Sequence, residues 1–91
     1  MTAAANLLTG LKIDLGIKST AYDERLTAYL KSAQRQIGEE GITLSSSVQD
    51  DQLTIMYAAW MWRRRDSGEG MPRMVRYALN NRLFSEKMRN G

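Results

Sequence analysis

Residues 53–62 constrain the fold most, because this ten-residue segment is apolar on almost every side of a helix. A helix of that kind is stable only when other elements surround it. The acids Asp50 and Asp51 precede the segment and three arginines follow it, which matches the dipole of a helix at both ends. We therefore predict a central, buried third helix that begins at about Asp50 or Asp51 and ends at Arg65.

Three other helices follow from apolar spacing. The first covers about residues 3–15, with a leucine stripe and a helix-weakening Gly10. The second opens near Tyr22, with Ser19 or Thr20 as its cap, and has Gly38 and Gly41 as its stop signal. Residues 42–49 read as an extended connection in which a short strand could form. Pro72 opens the fourth helix, which reaches about Met88. The prediction is an all-α, compact bundle of about four helices in one domain, residues 1–91.

Composition removes most catalytic and metal chemistry. The 91 residues include no cysteine and no histidine, so the commonest general base, thiolate nucleophiles and the usual zinc ligands are absent. None of the phosphate-loop, dinucleotide or metal-helix motifs occurs. Glu39-Glu40 and Asp50-Asp51 are interpreted as solvated helix ends. We expect a non-enzyme with no cofactor and no metal, made in the cytoplasm, because no membrane-length apolar run and no basic signal-peptide start is present.

Positive charge is concentrated in the second half of the chain, where residues 51–91 carry eight basic and four acidic side chains. Clustered arginines bind phosphate well, and the candidates are Arg63, Arg64, Arg65, Arg73 and Arg76. The simpler reading of the triplet is a solvated helix end matched to the dipole. We favour that reading but keep non-specific contact with double-stranded DNA, or with an acidic partner, as the functional alternative.

Two tryptophans and one arginine need neighbours. Trp60 is expected in the core, whereas Trp62 lies about 200° further round the helix and needs either another helix or a partner chain. Arg82 falls on the core side of the fourth helix, where a structural ion pair with a carboxylate is favoured over a side chain that extends to solvent.

The fourth helix carries a second apolar stripe in addition to its core side. Met71, Val75, Ala78 and Leu79 are expected to face the core. The second stripe lies on a different face and exceeds what a helix packed on one side of a small bundle needs, so we expect it to meet another subunit. The stripe contains Met74, Tyr77, Phe84 and Met88. The predicted subunit contacts are Tyr77, Phe84 and Met88 from this stripe and Trp62 from the third helix.

In their order and spacing, four pieces of the chain resemble the small head-tail connector, or adaptor, proteins of tailed bacteriophages. The pieces are Leu11-Lys12-Ile13-Asp14, Tyr22-Asp23-Glu24-Arg25-Leu26, the apolar segment from Asp51 to Arg65, and Met71-Pro72-Arg73-Met74-Val75 with Leu79 and Arg82. The third helix departs from the pattern because it holds two tryptophans and three consecutive arginines.

The resemblance implies a virion protein located at the head-tail junction. Such a subunit assembles into a homo-oligomeric ring of about a dozen copies that repeats one contact head to tail. The ring docks under the portal protein, extends the DNA channel and receives a downstream head-completion or tail protein.

Two other functions stay open. The third and fourth helices could form a helix-turn-helix in a small DNA-binding protein, although residues 66–70 make a longer loop than such a unit has. Alternatively, the protein is a monomeric phage assembly factor. Residues 66–70 are the segment that we expect to become ordered on binding.

Overall fold

The chain folds into four helices joined by short connections. The structure, a computed structural model, describes residues 3–90, with side chains for residues 6–89. The helices are α1 (Ala3–Leu15), α2 (Asp23–Glu39), α3 (Val48–Ser67) and α4 (Arg73–Asn90). The predicted all-α, four-helix bundle is confirmed. Within residues 3–90, no helix combines the length and the apolar character that crossing a membrane requires.

Helix α3 lies at the centre of the fold and contacts each of the other three helices. Its apolar residues face different neighbours on different sides, as the sequence predicted for a helix without a polar face. The core that forms around it contains Leu7, Leu11, Leu26, Leu30, Ala33, Ile37, Ile42, Leu53, Tyr57, Ala58, Ala59, Trp62, Val75 and Leu79.

Gly10 allows α1 to approach α3 closely. A Cβ atom at this position would lie 2.6 Å from the Cδ1 atom of Ile55 on α3. That distance is shorter than real carbon contacts, so a side chain here would force Ile55 to move. The glycine that weakens α1 as an isolated helix therefore serves its packing on α3.

Both ends of α3 have local signals, but the helix is longer than predicted. It begins at Val48 because the hydroxyl of Ser47 accepts a hydrogen bond from the backbone N–H of Asp50, at 3.1 Å. It ends at Ser67, where Gly68 adopts a left-handed conformation with φ 69°. The N–H of Gly68 donates to the carbonyl of Arg64 at 2.7 Å, which closes the helix.

The predicted cap of α2 is wrong. Tyr22 precedes the helix and no side chain caps it. The hydroxyl of Ser19 instead accepts from the backbone N–H of Ala21 at 3.3 Å, which makes a local turn. The start of α2 is held by an ion pair between Lys12 of α1 and Asp23, at 2.7 Å. The two acids in its first turn, Asp23 and Glu24, also suit the helix dipole.

The connection between α2 and α3 contains no strand within residues 40–47. Side chains, rather than a neighbouring strand, satisfy its backbone groups. The guanidinium of Arg82 donates to the carbonyl of Thr43 at 2.8 Å, and the backbone N–H of Ser45 donates to Asp50 at 2.7 Å. Ile42 is buried below these contacts and fixes the connection to the core.

The fold is thin for the mass of the chain. Its principal extents are 44 × 32 × 17 Å, so one dimension is close to one and a half helix diameters. The accessible surface is 5984 Å², against about 5,400 Å² for a compact monomer of this mass. Helix α4 contributes to this surplus because one of its sides packs on α3 while another is bare.

Candidate interaction surfaces

A buried ionic network joins α3, α4 and the connection before α3. Arg82 donates from Nε to Asp50 at 2.7 Å and from Nη1 to Glu86 at 2.9 Å. Its third contact is the carbonyl of Thr43, so one guanidinium ties three segments together. Glu86 also accepts from Arg89 at 2.8 Å. The structural ion pair predicted for Arg82 is confirmed.

Asp50 was expected at a solvated helix end, and that prediction is wrong because only 2% of the residue is exposed. Burial on its own would raise the pKa of the carboxyl group. The hydrogen bonds from Arg82 and Ser45 outweigh burial and hold the pKa of Asp50 below its usual range. The hydrogen bond to Asp50 in turn raises the pKa of Arg82. Both groups are therefore charged at neutral pH.

The three consecutive arginines point to different neighbours. Arg63 reaches α1, where it donates to the carbonyl of Asp14 at 3.2 Å. Arg64 lies over the ring of Trp60, 4.7 Å from its centroid. Arg65 lies 3.7 Å from the centroid of the Trp62 ring and donates to the carbonyl of the same residue at 2.6 Å. The triplet is thus exposed but divided, and it does not form one continuous cationic patch.

The two arginines of α4 also differ. Arg76 lies 3.9 Å from the carboxylate of Glu40, whereas Arg73 is exposed and makes no ion pair within the described residues. Arg64 and Arg65 line a pocket of about 350 Å³ between α2 and α3, together with Ala28, Tyr29, Ser32 and Met61. Of the predicted arginines, these two are the pair that the fold brings to one concavity.

Trp62 is a core residue of this chain, with 8% of its surface exposed. Its ring packs edge-on against Tyr22 and Tyr29, at centroid distances of 5.6 and 5.5 Å. The helix that covers it is α2 of the same chain. The assignment of Trp62 to a subunit contact is therefore corrected, because its surface is already occupied.

Trp60 has the more peripheral position, although the sequence placed it in the core. It is half-buried, packs edge-on against Tyr57 at 5.5 Å, and donates from Nε1 to the carbonyl of Gly70 at 3.1 Å. This bond holds Gly70, in the connection between α3 and α4, against α3. Asp66 and Ser67, which the sequence placed in a loop, belong to α3. Tyr57 is buried and donates to the side chain of Gln36 at 2.9 Å; burial, followed by the nearby charge of Glu40, raises the pKa of its hydroxyl.

The apolar stripe of α4 is solvent-exposed along its whole length. Met74, Tyr77, Phe84 and Met88 are between 58% and 73% exposed. The opposite side of α4 packs through Val75 and Leu79, which are buried. The distinction that the sequence drew between a core side and a second stripe is confirmed. What covers the stripe stays a prediction.

Asn81 completes this stripe, and sequence reasoning missed it. It lies between Tyr77 and Phe84 on the same face of α4 and is exposed. Its side chain makes no hydrogen bond within the part of the chain that the structure describes. The spacing of the apolar residues could have located it, because Met74, Tyr77, Phe84 and Met88 leave one place empty in a regular alternation of three and four.

No group of three acidic side chains converges on a metal site in the described part of the chain. No protein-family model, curated protein or solved structure matches the sequence. The likeness to phage connectors therefore rests on the four sequence pieces quoted above. Among the described residues, the α4 stripe and the arginine-bearing side of α2 and α3 are two surfaces that could take part in binding.

Proposed function

We propose that the protein is a structural subunit of a bacteriophage head-tail junction. In this role it forms an oligomeric ring under the portal, extends the channel for double-stranded DNA and offers a surface to the next head-completion or tail protein. No bond is made or broken. The exposed α4 stripe carries the proposal, since four large apolar side chains that are 58–73% exposed along one helix face are typical of protein-binding surfaces.

Two further features support an assembled state. The subunit is thin and has more accessible surface than a compact monomer of its mass. The stripe also lies on a regular helix rather than on a loop, so it is presented with little loss of conformational entropy on binding. Subunits that gain their stability partly from neighbours have both features.

The arginines are suited to backbone contact with DNA rather than to base recognition. Arg64 and Arg65 are held against tryptophan rings, so their guanidinium groups are oriented while one face stays open. Arg73 is free to reach a phosphate or an acidic side chain. Contacts of this kind attract DNA without reading its sequence, as a channel requires.

The helix-turn-helix alternative loses support from the exposed surface of α4. A recognition helix presents polar side chains to the major groove, whereas the outward side of α4 carries Tyr77, Phe84 and two methionines. The five residues between α3 and α4, residues 68–72, also exceed the three- or four-residue turn of such a motif. A monomeric assembly factor stays the principal alternative.

The first test is the solution mass of the protein by light scattering across a concentration series, with negative-stain imaging of any large species. We expect a closed ring, alone or on addition of portal protein. Phe84→Glu is expected to abolish the ring and leave the fold intact. Ile13→Glu, on α1, is the matched control because Ile13 is 76% exposed but lies off the stripe.

A monomer at every concentration that also fails to assemble on portal would exclude the ring. Portal binding with one-to-one stoichiometry would then favour the assembly factor. Salt-sensitive binding of short duplex DNA by that monomer would instead favour the DNA-binding protein.

A further inference from the structure

The exposed stripe of α4 has the spacing of a coiled-coil seam. Met74, Tyr77, Asn81, Phe84 and Met88 are separated by three, four, three and four residues. Residues at this spacing occupy the a and d positions of a heptad repeat and lie within about 80° of one another around the helix. The stripe therefore fits a second helix that runs alongside α4.

The centre of the seam is polar. Asn81 occupies an a position with apolar residues on both sides, and its amide makes no hydrogen bond to the described residues of its own chain. Covering it with an apolar surface would leave an amide buried without a hydrogen bond, which is costly. A second Asn81 can satisfy it, because each amide both donates and accepts. Paired asparagines at an a position set the register of parallel two-stranded coils.

We propose that two copies of the protein pair through their α4 helices, parallel and in register about Asn81. In this pair each seam residue, from Met74 to Met88, contacts the same residue of the other copy. The seam lies roughly 150° from the core side of α4, so the two subunit bodies project away from each other.

Charge on either side of the seam favours the parallel orientation. One flank carries Arg73, Asn80 and Lys87, whereas the other carries Ala78 and Ser85. A parallel pair brings unlike flanks together, so the basic flank meets alanine and serine. An antiparallel pair would bring the two basic flanks together, with Arg73 near Lys87 of the other copy at both ends. Like charges at these positions select against that arrangement.

The size of the seam implies a weak pair. Its four apolar side chains, each of roughly 200 Å² and about two-thirds exposed, bury about 500 Å² per copy. Stable interfaces bury about 800 Å² per partner. We therefore expect pairing that depends on concentration rather than a permanent dimer.

This inference goes beyond the proposed ring. A two-fold contact is closed and cannot repeat around a ring of many copies. Pairing would therefore hold free subunits in a form that must open before the stripe can serve in the ring. The pair can exist whether or not the ring does, so the two proposals can fail separately.

The chain contains no cysteine, so single cysteines can report the register in the full-length protein. We expect Asn81→Cys to form a disulfide-linked dimer under mild oxidation, because symmetric a positions come within disulfide range. Met88→Cys should also link to itself. Gln34→Cys, an exposed amide position on α2, is the control, and it should cross-link at least ten-fold more slowly than Asn81→Cys.

An antiparallel pair, or no contact at the seam, would overturn the proposal. Met88→Cys that links only to Met74→Cys in a mixture of the two would show an antiparallel pair. Cross-linking of Asn81→Cys no faster than Gln34→Cys would show no two-fold contact at this seam. A ring seen by light scattering with that slow cross-linking would remove the pair and keep the proposed function. Rapid cross-linking of Asn81→Cys, with no ring after portal protein is added, would keep the pair and remove the proposed function.

A second variant tests the role of Asn81 without oxidation. Asn81→Leu should tighten pairing by at least ten-fold, because the polar layer specifies the register at a cost in stability. Sedimentation at several concentrations measures this change. Unchanged or weaker pairing by Asn81→Leu would show that residue 81 does not lie in the seam.

Discussion

Helices α3 and α4 are similar in length, and each carries two methionines and at least two aromatic side chains, yet they end in opposite environments. The tryptophans of α3 are in contact with α2 and with the connection between α3 and α4. On α4, Tyr77 and Phe84 face solvent. The two helices differ in their number of neighbours, because α3 contacts each of the other three helices, whereas α4 lies at the edge of the fold. Apolar content alone does not distinguish a buried helix from one with an exposed apolar side.

The largest effect should come from removing the buried tryptophan of α3. Trp62→Ala deletes a side chain that contacts Tyr22, Tyr29 and Arg65, and we expect a loss of about 3–5 kcal/mol in the free energy of unfolding. Denaturant titration followed by circular dichroism measures it. A loss below about 1 kcal/mol would mean that Trp62 is not a core residue of the isolated subunit.

The next largest effect should come from the ionic network between the two helices. Asp50→Asn leaves Arg82 buried without its main partner, and we expect a loss of about 3 kcal/mol at neutral pH. Glu39→Gln removes an exposed pair with Arg35 on α2 and should have a far smaller effect. Equal losses for the two variants would show that burial of the network contributes nothing.

The same network should make the protein sensitive to acid. The pKa of Asp50 is lower in the folded than in the unfolded protein, so its contribution is complete above the unfolded value of about 4. It is lost as pH falls through the folded pKa. Stability measured from pH 7 to pH 2 should fall less steeply in Asp50→Asn than in the wild-type protein.

A smaller effect on stability is expected from a substitution at Gly10, where α1 packs on α3. Gly10→Ala gains about 1 kcal/mol of helix propensity but brings a Cβ too close to the Cδ1 atom of Ile55. We expect a change within about 1 kcal/mol in the wild-type protein, and clear stabilisation in the background of Ile55→Val, which lacks that atom. A double-mutant cycle by thermal unfolding measures the coupling. No coupling would mean that the helices are further apart.

The smallest effect on folding should come from the bare side of α4. Phe84→Ala is expected to change the free energy of unfolding of the monomer by less than about 0.5 kcal/mol, measured in dilute solution where subunits are separate. The difference between the stability losses of Phe84→Ala and Trp62→Ala measures the contrast between an exposed side chain of α4 and a buried one of α3. A loss of several kcal/mol would place Phe84 in the core of the subunit.

Much of the fold could be predicted from the sequence. The bounds predicted for α1 match those observed, and α2, α3 and α4 were located to within a few residues at each end. The errors concern single polar groups. Ser47 caps α3, so the helix begins before the predicted Asp50 or Asp51, and neither Ser19 nor Thr20 caps α2. Several polar residues near a helix start are chemically suitable as caps, and the path of the connection decides which one is used.

The candidate site was less predictable than the fold. The exposed α4 stripe was found because its spacing is local to one helix. Trp62 was misassigned because nothing local shows which of two apolar sides another helix will cover. The arginine triplet looked like one patch in sequence, but consecutive helical residues point about 100° apart, and each guanidinium found a separate neighbour.

The sequence by itself determined the four helices, the buried character of α3 and the two apolar sides of α4, because these follow from the helical repeat and from local signals for starting and stopping a helix. Only the tertiary structure decided which sides are covered. It joined Arg82 to Asp50 across 32 positions in the chain, packed Trp62 against α2, and left the α4 stripe exposed to solvent. These outcomes depend on long-range packing, which local spacing does not encode.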